Sequence, residues 1–248
     1  MSVIFASLKT FLFLLWCCIM VPLQLIVLTF HHGKYAYLIP KYWHKGVCVI
    51  FGIKVKITGN PVHNRQMMYV SNHLSYLDIP AIGSHLEASF IAKQEVAGWP
   101  VFGFLSKLQQ TAFVDRTGAR IEQDHYSLGS MLDAGKSLIL FPEGTSSDGK
   151  ELLPFKSRLF TLVIERVEHV AVQPFTIRLP DAKTQAERDR YAWYGDMDLA
   201  PHLWALAKTR GVTVELVFHD LIELDDSHER KALTEECYEI IKGGMESV

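Results

Sequence analysis

The sequence predicts an α/β domain with a mostly parallel central sheet flanked by helices, preceded by an N-terminal membrane-associated helical segment. Two observations lead to this fold class. From residue 53 onward, short runs rich in β-branched residues alternate with helical patterns, a rhythm typical of a parallel sheet with crossover helices. Before residue 53 the chain is strongly apolar. A length of 248 residues suits one domain with an appendage.

The predicted anchor comprises residues 1–52, and the predicted α/β domain comprises residues 53–248. The stretch 11–30 carries no charge, and the apolar run extends from about residue 3, interrupted by Lys9. A helix of this length can cross a bilayer core. Pro22 lies within the run, so the helix could kink while spanning or dip into one leaflet and return. The sequence leaves both readings open.

A second, amphipathic helix is expected within residues 40–51. Trp43, Val47, Ile50 and Phe51 fall on one face at helical spacing, whereas Lys41 and its neighbour Lys45 fall on another. This pattern is typical of a helix that lies in the membrane interface. The alternative is a core helix of the main domain.

Charge is distributed unevenly along the chain. The net charge is −2, yet residues 1–77 carry seven basic side chains and no acid. A basic, apolar N-terminus joined to an acidic body indicates contact with an anionic membrane surface rather than with nucleic acid. Basic residues are denser after the apolar run than before it. If the helix spans, this asymmetry predicts an inner (cytoplasmic) membrane protein with the main domain on the cytoplasmic side.

The α/β pattern can be divided into individual elements. Strands are predicted at 53–58, 66–71, 88–93, 111–115, 137–141, 169–178 and 212–222. Helices are predicted at 77–86, 98–109, 119–135, 157–167, 199–210 and 228–242. Ligand sites in such folds gather at the carboxyl ends of strands, and several chemically distinctive residues follow these strands.

The first distinctive pair is His73 and Asp78, which follow the strand predicted at 66–71. If His73 lies in a turn and Asp78 in the first turn of the next helix, the carboxylate can orient one imidazole nitrogen and leave the other as a base. The alternative is an ordinary turn histidine with an acid favoured by the helix dipole. The chain lacks a GxSxG motif, and no cysteine lies near the pair, so the pair suits direct activation of a substrate hydroxyl.

Arg116 follows the strand predicted at 111–115. Its guanidinium could fork onto a phosphate or carboxylate, or it could form a surface pair with Asp115. Lys93 and Lys156 lie near the distinctive stretches in sequence. Each could add positive charge to a substrate site or be an ordinary solvated lysine.

The stretch 138–149 is an apolar strand that ends in Pro-Glu-Gly. Glu143 could hold substrate hydroxyls there, and the backbone donors around Gly144 and Thr145 could cradle an anion. An ordinary turn is the alternative. Farther along, Pro174 in the run 170–178 indicates an edge strand, a strand start or a bulge.

Together and in order, four stretches resemble the glycerolipid acyltransferase family, in its lysophosphatidic acid acyltransferase (PlsC-like) branch, with the lyso-ornithine lipid acyltransferases as a possible subgroup. The match covers roughly residues 55–180 and is carried by Asn72-His73-x4-Asp78, Phe113-Val114-Asp115-Arg116, Phe141-Pro142-Glu143-Gly144-Thr145 and Val172-Gln173-Pro174.

The resemblance implies roles for these residues. His73 would be the base that deprotonates the acceptor hydroxyl, and Asp78 would orient it and balance its charge. Arg116 would hold an anionic head group, and Glu143 with Gly144 would bind glycerol hydroxyls. The acyl group would pass from acyl-CoA or acyl carrier protein to 1-acylglycerol-3-phosphate, giving phosphatidic acid, with no metal, prosthetic group or nucleic acid involved.

Two departures from the family pattern concern the acceptor. Many relatives place an arginine after Phe-Pro-Glu-Gly-Thr, where this chain has Ser146, and Gln173 replaces a more usual apolar or proline residue. A lyso-aminolipid such as lyso-ornithine lipid is therefore an alternative acceptor. A non-catalytic membrane lipid-binding module and a lipid hydrolase are alternatives of other classes.

Overall fold

The computed structural model describes residues 2–115, 120–225 and 227–246. In these ranges seven strands form one sheet: β1 (Ile53–Thr58), β2 (Met67–Ser71), β3 (Ser89–Lys93), β4 (Ala112–Val114), β5 (Leu138–Leu140), β6 (Ala171–Arg178) and β7 (Val212–Phe218). The predicted α/β fold class is confirmed.

Helices cover the sheet and precede it. The α-helices of the described residues are α1 (Val3–Phe30), α2 (Leu38–Phe51), α3 (Asp78–Gly83), α4 (Phe102–Leu108), α5 (Ile121–Asp133), α6 (Thr161–Ile164), α7 (Gln185–Arg188), α8 (Leu199–Ala207) and α9 (Arg230–Glu246). Short 3-10 helices lie at Lys34–Tyr37, Gln94–Gly98 and Ser157–Phe160.

The strand order is β1-β7-β6-β2-β5-β3-β4. All neighbours pair in parallel except β6 and β7, which pair antiparallel. The pairing of β2 with β5 runs from Met68 opposite Leu138 to Val70 opposite Leu140. Because parallel strands end at the same edge of a sheet, the segments that follow β2 and β5 emerge side by side.

The core lies on both faces of the sheet. Met67 and Tyr69 of β2 pack into one cluster, whereas Met68 and Val70 pack into another on the opposite face. All five residues of β2 are buried. This continuous burial is expected for a parallel strand covered on both faces, since successive side chains point to opposite sides.

Pro174 corrects one expectation. The prediction that Pro174 lies in an edge strand is wrong, because β6 lies between β2 and β7. The bulge alternative holds: β6 pairs with β7 through Phe175 opposite Phe218, but the next bridge joins Val172 to Ile222. Two residues of β6 therefore face three on the other strand. Pro174, which has no N–H to donate, occupies this interruption of the ladder.

Gln173 fills the interruption with its side chain. Its Nε2 donates to the carbonyls of Asn60 and His219 at 2.9 and 3.0 Å, and its Oε1 accepts from the Val62 amide at 3.0 Å. The amide side chain thus satisfies backbone groups of the bulge and of the segment that follows β1. This contact gives Gln173, an unusual residue for the resemblance, a structural role.

Helix α1 is continuous from Val3 to Phe30, with Pro22 inside it. It is long and apolar enough to cross a membrane, and only 11% of its most apolar 18-residue window is buried. A core helix of a globular domain would be mostly buried instead. Its exposed apolar residues include Ile4, Phe11, Ile26 and Phe30.

Lys9 attaches the apolar α1 to the rest of the protein. Its ammonium donates to the carbonyls of Phe51 and Thr209, at 3.0 and 3.1 Å, and the residue is 5% exposed. Phe51 ends α2, and Thr209 lies just beyond α8. Since the last carbonyls of a helix lack intrahelical partners and carry partial negative charge, a cation is favourable there.

Two further side chains of α1 bond to the body. Gln24 is buried and donates from Nε2 to the carbonyls of Ala36 and Leu108, at 2.9 and 2.8 Å. The indole of Trp16 donates to the carbonyl of Trp43 at 3.1 Å. Lys9, Trp16 and Gln24 therefore face protein, whereas most of the apolar surface of α1 is exposed.

Helix α2 turns the apolar face predicted from its sequence toward protein, as the core-helix alternative expects: Val47 is buried, and Trp43, Ile50 and Phe51 are partly buried. Its buried residues are Pro40, His44, Val47 and Cys48, and Cys48 Sγ lies 3.4 Å from the carbonyl of Pro80 in α3. The opposite side exposes apolar residues including Leu38, Tyr42 and Val49. One face is thus part of the core, and the other is an apolar surface.

We expect Lys9→Met to lower the free energy of unfolding by about 2 kcal/mol, because two charge-assisted hydrogen bonds to helix-end carbonyls are lost while the length of the side chain is kept. Thermal unfolding of the full chain in detergent measures this change. Thr29→Val is the control, since the exposed Thr29 hydroxyl bonds only within α1, to the carbonyl of Ile26. Equal melting temperatures for Lys9→Met and wild type would contradict the attachment.

Candidate active site

His73 and Asp78 meet in the turn between β2 and α3. His73 lies two residues beyond β2, and Asp78 is the first residue of α3. Their Nδ1 and Oδ2 atoms are 2.7 Å apart. Because a carboxylate accepts hydrogen bonds, Nδ1–H donates to Asp78 and the lone pair remains on Nε2 of the neutral ring. The described residues offer no hydrogen-bond partner to Nε2.

Asp78 Oδ2 is held by three donors at once. Besides His73 Nδ1, it accepts from the backbone amides of Leu74 and Ser75, at 2.7 and 3.0 Å. Asp78 is 1% exposed, while the His73 side chain is 21% exposed. The carboxylate is thus fixed below the surface, and the imidazole is held with its other edge accessible.

Asn72 joins this turn to β6. Its Oδ1 accepts from the Ile177 amide at 2.7 Å, and its Nδ2 donates to the Ile177 carbonyl at 3.0 Å. The buried amide thereby imitates a backbone strand partner just past the end of β2. This pair of hydrogen bonds fixes the residue that directly precedes His73.

Glu143 braces the turn from the side of β5. Its Oε1 accepts from the His73 amide at 2.7 Å, and its Oε2 accepts from the Leu153 amide at 3.0 Å. Glu143 is 3% exposed. Both carboxylate oxygens are therefore engaged by backbone in this conformation, and the predicted contact with substrate hydroxyls stays a prediction.

Burial has an electrostatic effect on Glu143. Desolvation raises the pKa of its carboxyl from 4.5 to about 7, against the lowering effect of the hydrogen bonds from His73 and Leu153. Burial prevails because the carboxylate loses more hydration than two amide donors return. The group that positions the His73 backbone therefore changes protonation near neutral pH.

The segment after β5 also contacts His73 directly. Phe141 stacks on the imidazole, with ring centroids 4.2 Å apart and planes 14° from parallel. The Ser147 amide donates to the His73 carbonyl at 2.9 Å. Between them the Gly144 amide closes a turn onto the Phe141 carbonyl at 3.0 Å, and the φ of +76° at Gly144 suits glycine.

A cavity of about 580 Å³ begins beside the pair and extends to the anchor helices. His73, Lys93, Gly144, Thr145 and Ser146 line it on one side. Residues of α1, α2 and α8 line it elsewhere, including Phe13, Phe51 and Trp204. A space of this size with mostly apolar walls and few polar groups is typical of a ligand site.

The other predicted site residues differ in placement. Lys93 ends β3, is exposed and lines the cavity. Lys156 is exposed and is not among the described residues that line the cavity, although its amide donates to the Pro142 carbonyl at 2.9 Å. Arg116 lies outside the described residues. The roles assigned to all of these residues stay predictions.

Sequence reasoning missed an aromatic part of the cavity wall. Tyr76, Trp99, Trp193 and Tyr194 line it, and the amide of Trp193 donates to the Leu74 carbonyl at 2.9 Å. Trp193 and Tyr194 are distant in sequence from the His73 turn. The signal was present as three aromatic residues, Tyr191, Trp193 and Tyr194, within the ten residues 189–198.

A sequence model of the family described as "Acyltransferase" matches residues 53–178. The match contains the His73–Asp78 turn and the segment after β5. The chain belongs to the acyltransferase family. The predicted family and the predicted enzyme class, an O-acyltransferase, are therefore confirmed.

Individual relatives carry two different names. The lyso-ornithine lipid O-acyltransferase of Brucella abortus is 34% identical over 86% of this chain and 84% of that protein. The lyso-ornithine lipid O-acyltransferase of Rhizobium meliloti is 31% identical over 87% of this chain and 77% of that protein. The 1-acyl-sn-glycerol-3-phosphate acyltransferase of Neisseria gonorrhoeae is 31% identical over 73% of this chain and 70% of that protein.

A solved structure shares the fold. The crystal structure of the 1-acyl-sn-glycerophosphate acyltransferase PlsC from Thermotoga maritima superposes with a TM-score of 0.69 and 20% identity. The alignment covers 97% of this chain and 94% of that one. It thus includes the N-terminal helices as well as the sheet.

We expect Glu143→Gln to change how stability depends on pH. The native state holds the Glu143 proton up to a pKa of about 7, whereas the unfolded state releases it near 4.5. The contribution of Glu143 to stability therefore falls as pH rises through this window, by up to roughly 3 kcal/mol. Between pH 5 and pH 7.5, the wild-type melting temperature should decrease relative to that of Glu143→Gln.

Glu151→Gln is the control, because Glu151 is an exposed glutamate of the neighbouring segment. It should keep the wild-type dependence on pH. Parallel melting curves for wild type and Glu143→Gln across this range would contradict the raised pKa.

Proposed function

We propose that the protein is a membrane-associated O-acyltransferase that moves an acyl group from an acyl thioester to the free hydroxyl of lyso-ornithine lipid. The observation that carries this proposal is the His73–Asp78 pair opening into a cavity that reaches the anchor helices. A lipid acceptor can enter such a cavity along apolar walls, while its hydroxyl meets a base at the polar side.

The geometry supports direct transfer with a general base. Nε2 of His73 takes the proton of the acceptor hydroxyl as its oxygen attacks the thioester carbonyl. The C–S bond then breaks, and the leaving thiolate receives the proton from His73. Asp78 stabilises the imidazolium that exists between these two transfers, since its carboxylate is 2.7 Å from Nδ1. No metal or prosthetic group is needed for this sequence of steps.

Two observations support the ornithine-type acceptor. The relatives from Brucella abortus and Rhizobium meliloti carry that name and align over most of both chains. In addition, Ser146 lines the cavity at the position where many phosphate-using relatives place an arginine. A neutral residue there removes one cation from the pocket that would bind a phosphate.

Lysophosphatidate is the second candidate acceptor. The Neisseria gonorrhoeae relative is named for that substrate type, and Lys93 lines the cavity. With either acceptor, the donor is acyl-CoA or acyl carrier protein. The exposed apolar surface of α1 and the basic N-terminal region support a site on the cytoplasmic side of the inner membrane.

Purified full-length protein in mixed micelles tests this function with a panel of lysolipids and both thioester donors. We expect the largest rate with lyso-ornithine lipid, and a loss of at least about 100-fold in His73→Ala, since a general base contributes on the order of 10²–10⁴. Mass spectrometry of the diacyl product is the readout. His125→Ala is the matched control, because His125 pairs with Glu165 at the surface.

Other results would favour other functions. A near-wild-type rate in His73→Ala would contradict general-base catalysis by His73. Lysolipid binding without transfer from either donor would indicate a binding module. Release of free fatty acid without an acceptor would indicate a hydrolase.

We expect Ser146→Arg to raise the rate with lysophosphatidate relative to lyso-ornithine lipid, by about tenfold. A guanidinium at this point of the cavity adds a charge-assisted contact to phosphate. The ratio of the two kcat/KM values is the measurement, and Ser146→Ala is the uncharged control. An unchanged ratio would show that residue 146 does not face the head group.

A further inference from the structure

Three aromatic side chains form a connected wall next to His73. This aromatic cluster consists of Tyr76, Trp99 and Trp193. The ring centroids of Tyr76 and Trp193 are 6.2 Å apart with planes 55° apart, and those of Trp99 and Trp193 are 6.1 Å apart and nearly perpendicular, at 88°. All three residues line the cavity that also contains His73.

The polar edges of two of these rings are already engaged. The indole N–H of Trp193 donates to the Met197 carbonyl at 2.8 Å. His202 Nε2 lies 3.2 Å from the Asp189 carbonyl, which can only accept, so the neutral ring presents Nδ1 as an acceptor to the Tyr76 hydroxyl at 2.7 Å. Tyr76 and Trp193 are therefore fixed in orientation, and a ligand would contact their ring faces rather than their polar atoms.

The backbone places this cluster within reach of the reacting atoms. Trp193 is tied by its amide to the carbonyl of Leu74, the residue after His73, at 2.9 Å. Tyr76 follows His73 by three residues. A group bound against these rings is therefore part of the same substrate whose hydroxyl meets His73, rather than a ligand of a separate site.

The loop that carries Trp193 bears charges of both signs: Asp189, Asp196 and Asp198, and also Arg190. The Tyr194 hydroxyl donates to Asp189 Oδ1 at 2.7 Å, and Gln185 Nε2 donates to the same oxygen at 2.6 Å. Asp196 and Asp198 are exposed on the same loop. Among the described residues that line the cavity, Lys93 is the one permanent cation. None of the lining residues that the structure describes is a carboxylate, so a cation at this part of the cavity would contact the aromatic faces.

From these contacts we infer that the aromatic cluster binds a primary ammonium group of the acceptor head group through cation–π interaction. Ammonium ions bind to the faces of Trp and Tyr, and several rings around one cation are a recurrent means of recognising amines. The inference rests on the proposed function, which supplies an ornithine head group with such an ammonium. It assigns acceptor specificity to residues 76, 99 and 193.

An apolar role for the same rings predicts a different result. If the cluster only contacted an acyl chain, removing the charge of the head group would not matter. The distinguishing pair of acceptors is therefore lyso-ornithine lipid and its side-chain N-acetylated analogue, which keeps both the hydroxyl and the acyl chain but carries no ammonium.

The experiment compares kcat/KM for these two acceptors in wild type, Trp193→Leu, Trp193→Phe and Trp204→Leu. We expect wild type to prefer the charged acceptor by about fivefold to tenfold. In Trp193→Leu the ratio should approach one, whereas Trp193→Phe should keep part of the preference. Trp204→Leu should keep the full ratio, because Trp204 lines the cavity from α8, outside the aromatic cluster.

A second measurement does not require turnover. An N-acylated ornithine without the acceptor hydroxyl serves as a dead-end ligand, and its dissociation constant is measured by calorimetry in micelles with its N-acetylated analogue as reference. Preferential binding of the charged ligand by wild type, lost in Trp193→Leu, supports the ammonium site even if no transfer to lyso-ornithine lipid occurs. In that case the proposed acceptor fails while the binding site stands.

Two outcomes overturn the inference. One is wild-type protein that binds and acylates the charged and acetylated molecules equally well. The other is Trp193→Leu, verified as folded by its circular dichroism and melting temperature, that keeps the wild-type ratio.

Discussion

The parallel pairing of β2 with β5 is the constraint on which the site depends. The two segments that follow these strands, residues 72–78 and 141–147, have no chemistry in common when they are considered separately. Adjacent parallel strands force them to emerge together. As a result, one segment supplies the imidazole and its carboxylate, while the other supplies the stacked ring, the brace and the turn that holds them.

The two buried carboxylates of the site, Asp78 and Glu143, hold different groups in place because they accept hydrogen bonds from different donors. Asp78 accepts from the imidazole and from two amides through a single oxygen, so its position and that of the ring are determined together. Glu143 accepts only from backbone amides, one on each oxygen, and its pKa rises to about 7 on burial. The first arrangement orients the imidazole of His73, whereas the second fixes the backbone from which that imidazole extends.

Local patterns in the sequence were enough to predict the strands. For His73 and Asp78 they allowed contact without requiring it, and the resemblance carried by the four motifs favoured it. The β-branched runs mark strands that both faces of the sheet bury, and a turn between strand and helix brings residues five apart into contact. Pro174 was harder to place. Its missing N–H allows several positions in a sheet, and only the register between β6 and β7 distinguishes a bulge from an edge.

Contacts between residues far apart in sequence were not predictable in this way. The indole of Trp193 reaches the site because its amide bonds to Leu74, and nothing in either local sequence indicates that bond. The same holds for Glu143, whose two backbone partners come from different segments, and for Lys9, whose carbonyl partners are 42 and 200 residues away. A charged residue in an apolar run signals a partner without identifying it.

The contacts of Lys9 and Gln24 also determine the position of the cavity relative to α1. A helix joined to its domain by a flexible linker would let the catalytic groups drift above the bilayer. Here Lys9 and Gln24 bond α1 to the body at two separate points, so under the proposed membrane attachment the protein itself sets the height of the cavity relative to the lipid. An acceptor could then present its hydroxyl while its chain stays among other lipids, without the energetic penalty of full extraction into water.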